Sequence, residues 1–287
     1  MKRTLFLLFL FVYYTGFSQL SIGVFAGGAS YIGDLNDKPY ARTKSALGLT
    51  LNYDLSDRFT LRGGATAASL EGGDQYSGTT FLKQNRNLSF KTALAELSLV
   101  GELTVFNLNN INWSPYVFGG LAVFHFNPYT FDSGQKYYLR PLSTEGQGLP
   151  SSPIKIYSNN QIAIPFGGGI KFNLSENVRL GVELGFRRLF TDYLDDVSTN
   201  YPDATELMTL LGRKAVELSY RGNQVPGEAP GYPDLGFATK GAERGNPKTK
   251  DWYYFTGVHL SFRIGNGYGK TFASGSKRRY GCPVVPL

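Results

Sequence analysis

The residues that could do chemistry fall into three groups. The first is a set of charges at alternate positions in otherwise apolar or glycine-rich segments: Arg62, Glu96, Lys171, Arg179, Glu183, Arg187, His259 and Arg263. Side chains two apart along a strand share one face, so these charges point the same way and are enclosed if the sheet closes. Enclosed charges are tolerated only when paired and hydrogen-bonded. The expectation is a network in which the two glutamates each contact arginines, serving either as ionic packing or as a path for protons or ions. The second group is the histidines, of which there are two, His125 near a loop base and His259 among the enclosed charges. Neither belongs to a Cys/His/Asp spacing that would hold a metal or activate a nucleophile. The third is the single thiol, Cys282, in the C-terminal stretch with Arg278, Arg279, Tyr280 and Pro283. One cysteine excludes an internal disulfide framework. In an oxidising compartment it is either buried and inert or paired with another chain, and its place between Gly281 and Pro283 argues against burial. Gly167-Gly168-Gly169 lies inside a strand rather than at a strand-to-helix turn, so it is no phosphate loop. It relieves crowding where a wall bends. No catalytic, metal or cofactor site is expected, and the chain is read as a non-enzyme without a small-molecule substrate.

Eight segments position these residues: 20–31, 44–55, 58–70, 90–104, 114–126, 160–173, 177–190 and 252–264. In the seventh, Val178, Leu180, Val182, Leu184 and Phe186 interleave with Arg179, Gly181, Glu183, Gly185 and Arg187, giving one greasy face and one charged or small face. Leu55-Ser56-Asp57 and Leu174-Ser175-Glu176-Asn177 make tight hairpin turns, and a slightly longer one falls around Asn107 to Asn110. The other connections are long: 32–43, 71–89, 127–159 and 191–251. A soluble sandwich gives no such alternation and carries a polar outer face. Short turns on one rim, long loops on the other and a uniformly apolar outer face predict an eight-stranded antiparallel transmembrane β-barrel, short rim periplasmic. Its lipid neighbour is the outer membrane of a Gram-negative bacterium, and an even strand count puts both termini in the periplasm. Aromatic residues at strand ends (Tyr53, Phe59, Phe90, Phe172, Phe190, Trp252, Tyr254) are candidates for interfacial girdles. With eight strands the interior is filled by side chains.

Residues 1–18, with Lys2 and Arg3 ahead of an apolar run from Leu5 to Val12 and Ser18 before Gln19, have the layout of a secretory signal; a retained anchor is the rival, though the run is short for a membrane helix. The barrel then covers 19–265. Net charge is +7, or +5 without Lys2 and Arg3, too small an excess to argue nucleic-acid binding, and no basic run with interleaved aromatics supports one. Within the loop 191–251, Asp203 and Glu206 start a helix; Leu207, Leu210, Leu211, Val216 and Leu218 follow at helical spacing, and Gly222 can end it. That stripe packs on neighbouring loops, or else meets a partner or lipid. The Pro-, Gly- and Lys-rich stretch 226–250 is expected to be flexible or held only by a partner. Beyond the barrel, residues 266–287 form a tail with Lys270, Lys277, Arg278 and Arg279 and no acidic residue. Such a tail is read as docking on a periplasmic partner, with Cys282 able to form an intermolecular disulfide, or as a floppy end.

Two short stretches carry a resemblance. Ala29-Ser30-Tyr31-Ile32-Gly33-Asp34-Leu35-Asn36, closing the first strand, and Tyr280-Gly281-Cys282-Pro283 resemble the small outer-membrane barrels of Bacteroidota that include PorG, a component of the type IX secretion system. The resemblance implies a non-enzymatic part of a protein-export and gliding machine, tied on its periplasmic side to a ring of a PorK-type lipoprotein and its PorN-type partner. The long insertion in the last loop departs from that pattern. The other reading of the residues is a free-standing barrel of the OmpA/OmpX kind, for surface adhesion or envelope stability.

Overall fold

In the computed structural model, residues 20–76, 86–222 and 238–264 are described. Ten strands follow in chain order: β1 (Leu20–Ile32), β2 (Lys44–Asp54), β3 (Phe59–Gly73), β4 (Ser89–Thr104), β5 (Trp113–Phe126), β6 (Tyr129–Asp132), β7 (Gln135–Tyr138), β8 (Asn160–Asn173), β9 (Val178–Leu189) and β10 (Trp252–Ile264). Eight of them close a ring in the order β1-β2-β3-β4-β5-β8-β9-β10 and back to β1, every pair antiparallel. These eight are the segments expected from period-two patterning, with ends within three residues of those read from the sequence.

Alternation sets the two faces. Leu47, Leu49, Leu97, Leu99, Val117, Leu121, Ile162 and Phe262 point outward and are exposed, while Arg62, Glu96, Val100, Phe118, Glu183 and Arg187 point inward and are buried. Along β4 the outward apolar run from Ala93 continues to Val105, about 40 Å of strand at about 3.3 Å per residue, or about 30 Å in height at a tilt near 40°. That height equals the hydrocarbon thickness of a bilayer, so the wall is a bilayer-spanning wall.

Of the seven candidate girdle aromatics, Phe59, Phe172 and Phe190 are exposed, and Tyr53 and Trp252 are half-buried. Two do not face lipid. Phe90 falls on the inward phase of β4 and packs edge-on against Tyr31, ring centroids 4.9 Å apart. Tyr254 is buried because the first long loop folds back over it: the Tyr40 backbone N–H donates to its hydroxyl at 2.7 Å. A strand end in sequence is not necessarily a lipid boundary when the adjoining loop returns.

The long loops pack together as a crown over one rim. A hairpin that the period-two reading passed over, β6–β7, turns through Ser133 and Gly134, both at positive φ as a tight two-residue turn requires. The last loop holds the expected helix, divided into α1 (Ala204–Leu211) and α2 (Arg213–Ser219) at Gly212, whose φ of 83° breaks the helical run. Asp203 caps α1, accepting from Thr205 N at 2.9 Å and Glu206 N at 3.1 Å. Because Gly212 resets the helical phase, Leu207 and Leu218 are buried but Leu210 and Leu211 are exposed, and the second helix ends at Ser219, before Gly222.

Candidate functional site

The barrel interior is layered. Nearest the short turns, Asp54 accepts from Arg179 at 2.9 Å and lies 3.9 Å from Arg263. In the middle layer Arg62 Nη1 sits 2.6 Å from Glu183 and 2.8 Å from Glu102. Lys171 pairs with Glu102, the Tyr116 hydroxyl donates to Glu183 at 2.7 Å, and His259 Nε2 lies 3.3 Å from the same carboxylate. In the upper layer Arg187 grips Glu96 with two N–H groups, at 3.1 and 3.2 Å, while the Tyr253 hydroxyl donates to Glu96 at 2.6 Å. The Arg187 guanidinium lies 4.1 Å from the Phe255 ring centroid, leaving it well desolvated. All eight lumen residues singled out in the sequence therefore meet one another or a partner inside the wall.

Four partners were missed. Glu102 was legible, because the alternation that turns Glu96 inward on β4 turns residue 102 inward too. Asp54 sits at a strand end, where alternation loses its grip. Tyr116 lies in a strand apolar on both faces and Tyr253 in the aromatic run Trp252–Phe255, and nothing in their spacing distinguishes a core hydroxyl from a wall aromatic. The middle layer neutralises itself, and the space left among Arg62, Glu102, Tyr116, Lys171 and His259 is about 30 Å³, the share of about one water molecule. Above the Glu96 layer the lumen is apolar: Phe124, Phe126, Tyr253 and Phe255 join Leu194, Val197 and Leu218 of the crown in one buried cluster. Toward the short turns the interior opens into a cavity of about 280 Å³ lined by Asp54, Thr60, Thr104, Lys171, Arg179 and Arg263, so the lumen is closed at its middle and upper layers.

His125 faces outward and pairs through Nδ1 with Asn160 Oδ1 at 2.8 Å, so the two histidines serve different faces of the wall. Among the described residues, no group of three or more His, Cys, Asp or Glu side chains gathers as a metal would need. Arg278, Arg279, Tyr280, Cys282 and Pro283 lie outside the described residues, as do residues 1–18, expected to be a secretory signal, and 266–287.

The Ala29–Asn36 stretch has a structural role that its sequence did not disclose. The Tyr31 hydroxyl donates to Asp195 and lies 3.1 Å from Asp251 Oδ1. Asn36 Nδ2 donates to the Tyr31 carbonyl at 3.0 Å, and Gly33 and Asn36 exchange backbone hydrogen bonds. A Cβ at Gly33 would lie 2.1 Å from both Asp251 Oδ1 and Tyr31 Oη, so any larger residue must displace the Tyr31–Asp251 contact. The stretch fastens the first loop to the last.

A family described as "Domain of unknown function (DUF6089)" matches residues 2–211. The chain belongs to the DUF6089 family. No curated protein matches it. Among solved structures, the DUF6089 chain is similar to Neisserial surface protein A (8% identity, 85% of this chain and 97% of that one, TM-score 0.42). It is also similar to a major outer membrane protein of Thermus thermophilus (16%, 85% and 99%, 0.41) and to the outer membrane protein OprG of Pseudomonas aeruginosa (11%, 86% and 98%, 0.39).

The crown of this DUF6089 protein has its own ionic core. Arg244 is fully buried, donating to Glu145 at 2.9 Å, to the Asp196 carbonyl at 2.6 Å and to the Ser219 carbonyl at 3.1 Å. Glu145 also accepts from the backbone N–H groups of Ser198 and Thr199 at 2.8 and 3.0 Å. Arg86 clasps Asp74 at 2.6 Å and donates to the carbonyls of Arg244 and Asp34. These contacts correct the expectation for 226–250: residues 238–250 are tied down within the chain itself, because Arg244 satisfies three loops at once, while 226–237 lie outside the described residues. Burial raises Asp192 to about 7, against the hydrogen bond from Ser198, and raises Asp196 to about 6, against the Arg244 charge and the hydroxyls of Thr144 and Tyr157.

Proposed function

We propose that this chain is an outer-membrane barrel that acts as a non-enzymatic component of a type IX protein-secretion and gliding machinery, fixing a periplasmic lipoprotein ring of the PorK/PorN kind to the membrane. The observation that carries the reading is the filled lumen: three ionic layers and an apolar plug make the barrel a rigid anchor in the bilayer rather than a passage or a reaction vessel. In this reading the rim of short turns faces the periplasm, as is usual for bacterial barrels. Leu20 and Ile264 both end on that rim, the side on which a periplasmic ring would sit.

The test is isolation from native envelopes in mild detergent with the tail intact. The reading expects periplasmic ring proteins to co-purify and to be lost on truncation after Gly265; recovery of the barrel alone in both cases would sink it. A reducible adduct on non-reducing electrophoresis, absent in Cys282→Ala, is expected if the thiol links the two. A second reading, a free-standing barrel for surface adhesion or envelope stability, draws on the crown: loops bound by buried ion pairs present a fixed outer surface, as an adhesive face requires. Under that reading, removing the crown abolishes surface binding while truncation after Gly265 has no effect.

A further inference from the structure

Most outward positions of the wall carry Leu, Ile, Val or Phe, but on β1, β3 and β4 the same level is lined by alanine. Ala26 stands opposite Leu47, Leu47 opposite Ala67, and Ala67 opposite Ala95. With Leu49, Leu97 and Val123 at its edges, this region forms an outward-facing apolar depression of about 900 Å³. It climbs across the wall toward the crown, where the paired His125 and Asn160 close its upper end.

Two outward positions further toward the crown, β3 carries Glu71 and β4 carries Lys91, and the start of β2 and the loop before it bring up Lys44 and Arg42. Glu71, whose side chain is only 7% exposed, draws Lys44 to 2.7 Å, Lys91 to 3.6 Å and Arg42 to 3.8 Å. Each of these cations keeps roughly a third or more of its side chain exposed. Lys136 adjoins them, 3.9 Å from the ring centroid of Tyr129, the residue opposite Lys91. One carboxylate thus faces three cations. Lys91 lies four residues from Ala95, about 13 Å along the strand and about 10 Å in depth at the usual tilt. The depression therefore lies within one leaflet, about 15 Å of hydrocarbon, of the cluster.

We propose that this face is a binding site for an anionic, phosphate-bearing bilayer lipid, its phosphate held by Arg42, Lys44 and Lys91 and an acyl chain lying over the alanines. A free anion would use the cations and not the depression; an apolar helix would use the depression and leave the cations unmatched. Only an amphiphile with negative charge at the interface meets both. The site lies wholly on one rim, so it does not depend on the proposed secretion role or on which rim faces outward.

The test is native mass spectrometry of the full-length protein in mild detergent, titrated with lipid A, phosphatidylglycerol or phosphatidylcholine, with folding of each variant checked by its heat-dependent shift on electrophoresis. Saturable retention of the two anionic lipids is expected, at least tenfold above phosphatidylcholine. Lys44→Gln/Lys91→Gln is expected to weaken retention about thirtyfold, since each cation near an anionic surface contributes about a factor of five. Glu71→Gln, which keeps the shape and removes the opposing charge, is expected to strengthen it. Ala67→Phe/Ala95→Phe, which fills the depression and leaves the cations, is expected to weaken it. Equal retention of phosphatidylcholine, indifference to both double variants, or displacement of lipid by excess inorganic phosphate would each overturn the proposal.

Discussion

The eight lumen residues singled out in the sequence do not act alone, and the variants that test them separate pairing from packing. Arg187→Ala strands the Glu96 carboxylate beneath the apolar plug. Breaking a buried pair on one side costs about 3–5 kcal/mol, so a loss of that size is expected in urea unfolding from lipid vesicles. Glu96→Gln/Arg187→Met, which removes both charges, should cost clearly less; an equal or greater cost would show that the pair itself, rather than the stranded charge, carries the stability. In the crown the sign runs the other way from an ordinary surface carboxylate. Burial raises Asp196 to about 6 and Asp192 to about 7, so the folded crown binds more protons than the unfolded loop above pH 4. Its stability therefore falls as pH rises from about 4 through 7. Hydrogen exchange of amides 192–199, corrected for intrinsic rates, should reveal more frequent opening at pH 8 than at pH 5; the reverse order would contradict the assignment.

At the scale of elements, the barrel strands were legible because lipid outside and charge inside leave the strongest period-two contrast a chain can carry, as in Val178 to Arg187. The crown was not, since its order comes from single long-range contacts. Nothing local to Arg244 announces that it will reach Glu145 and the carbonyls of Asp196 and Ser219. The helix in the last loop was legible at its start, through Asp203, and misjudged beyond Gly212, because spacing was counted through a residue that breaks the phase. The β6–β7 hairpin carries a signal in its Ser133-Gly134 turn, but its strands of four residues each are too short for a period-two contrast. The Ala29–Asn36 stretch is the sharpest test at this scale. Gly33→Ala places a methyl against Tyr31 and Asp251, so it should speed proteolysis of the crown several-fold while leaving the heat-dependent mobility shift of the barrel in place. Unchanged proteolysis would mean that the first and last loops are not fastened there.

For the whole molecule, a wall about 30 Å high and greasy outside encloses a middle ionic layer with space for about one water between its charges. In the proposed role the residues that meet partners lie at the ends and on the outer surface of the barrel. The claim common to every part of this account is that the lumen is sealed. Reconstitution of the full-length protein into planar bilayers tests it most directly: the account predicts no discrete conductance steps at moderate voltage, and reproducible unitary steps from the folded wild-type barrel would contradict it.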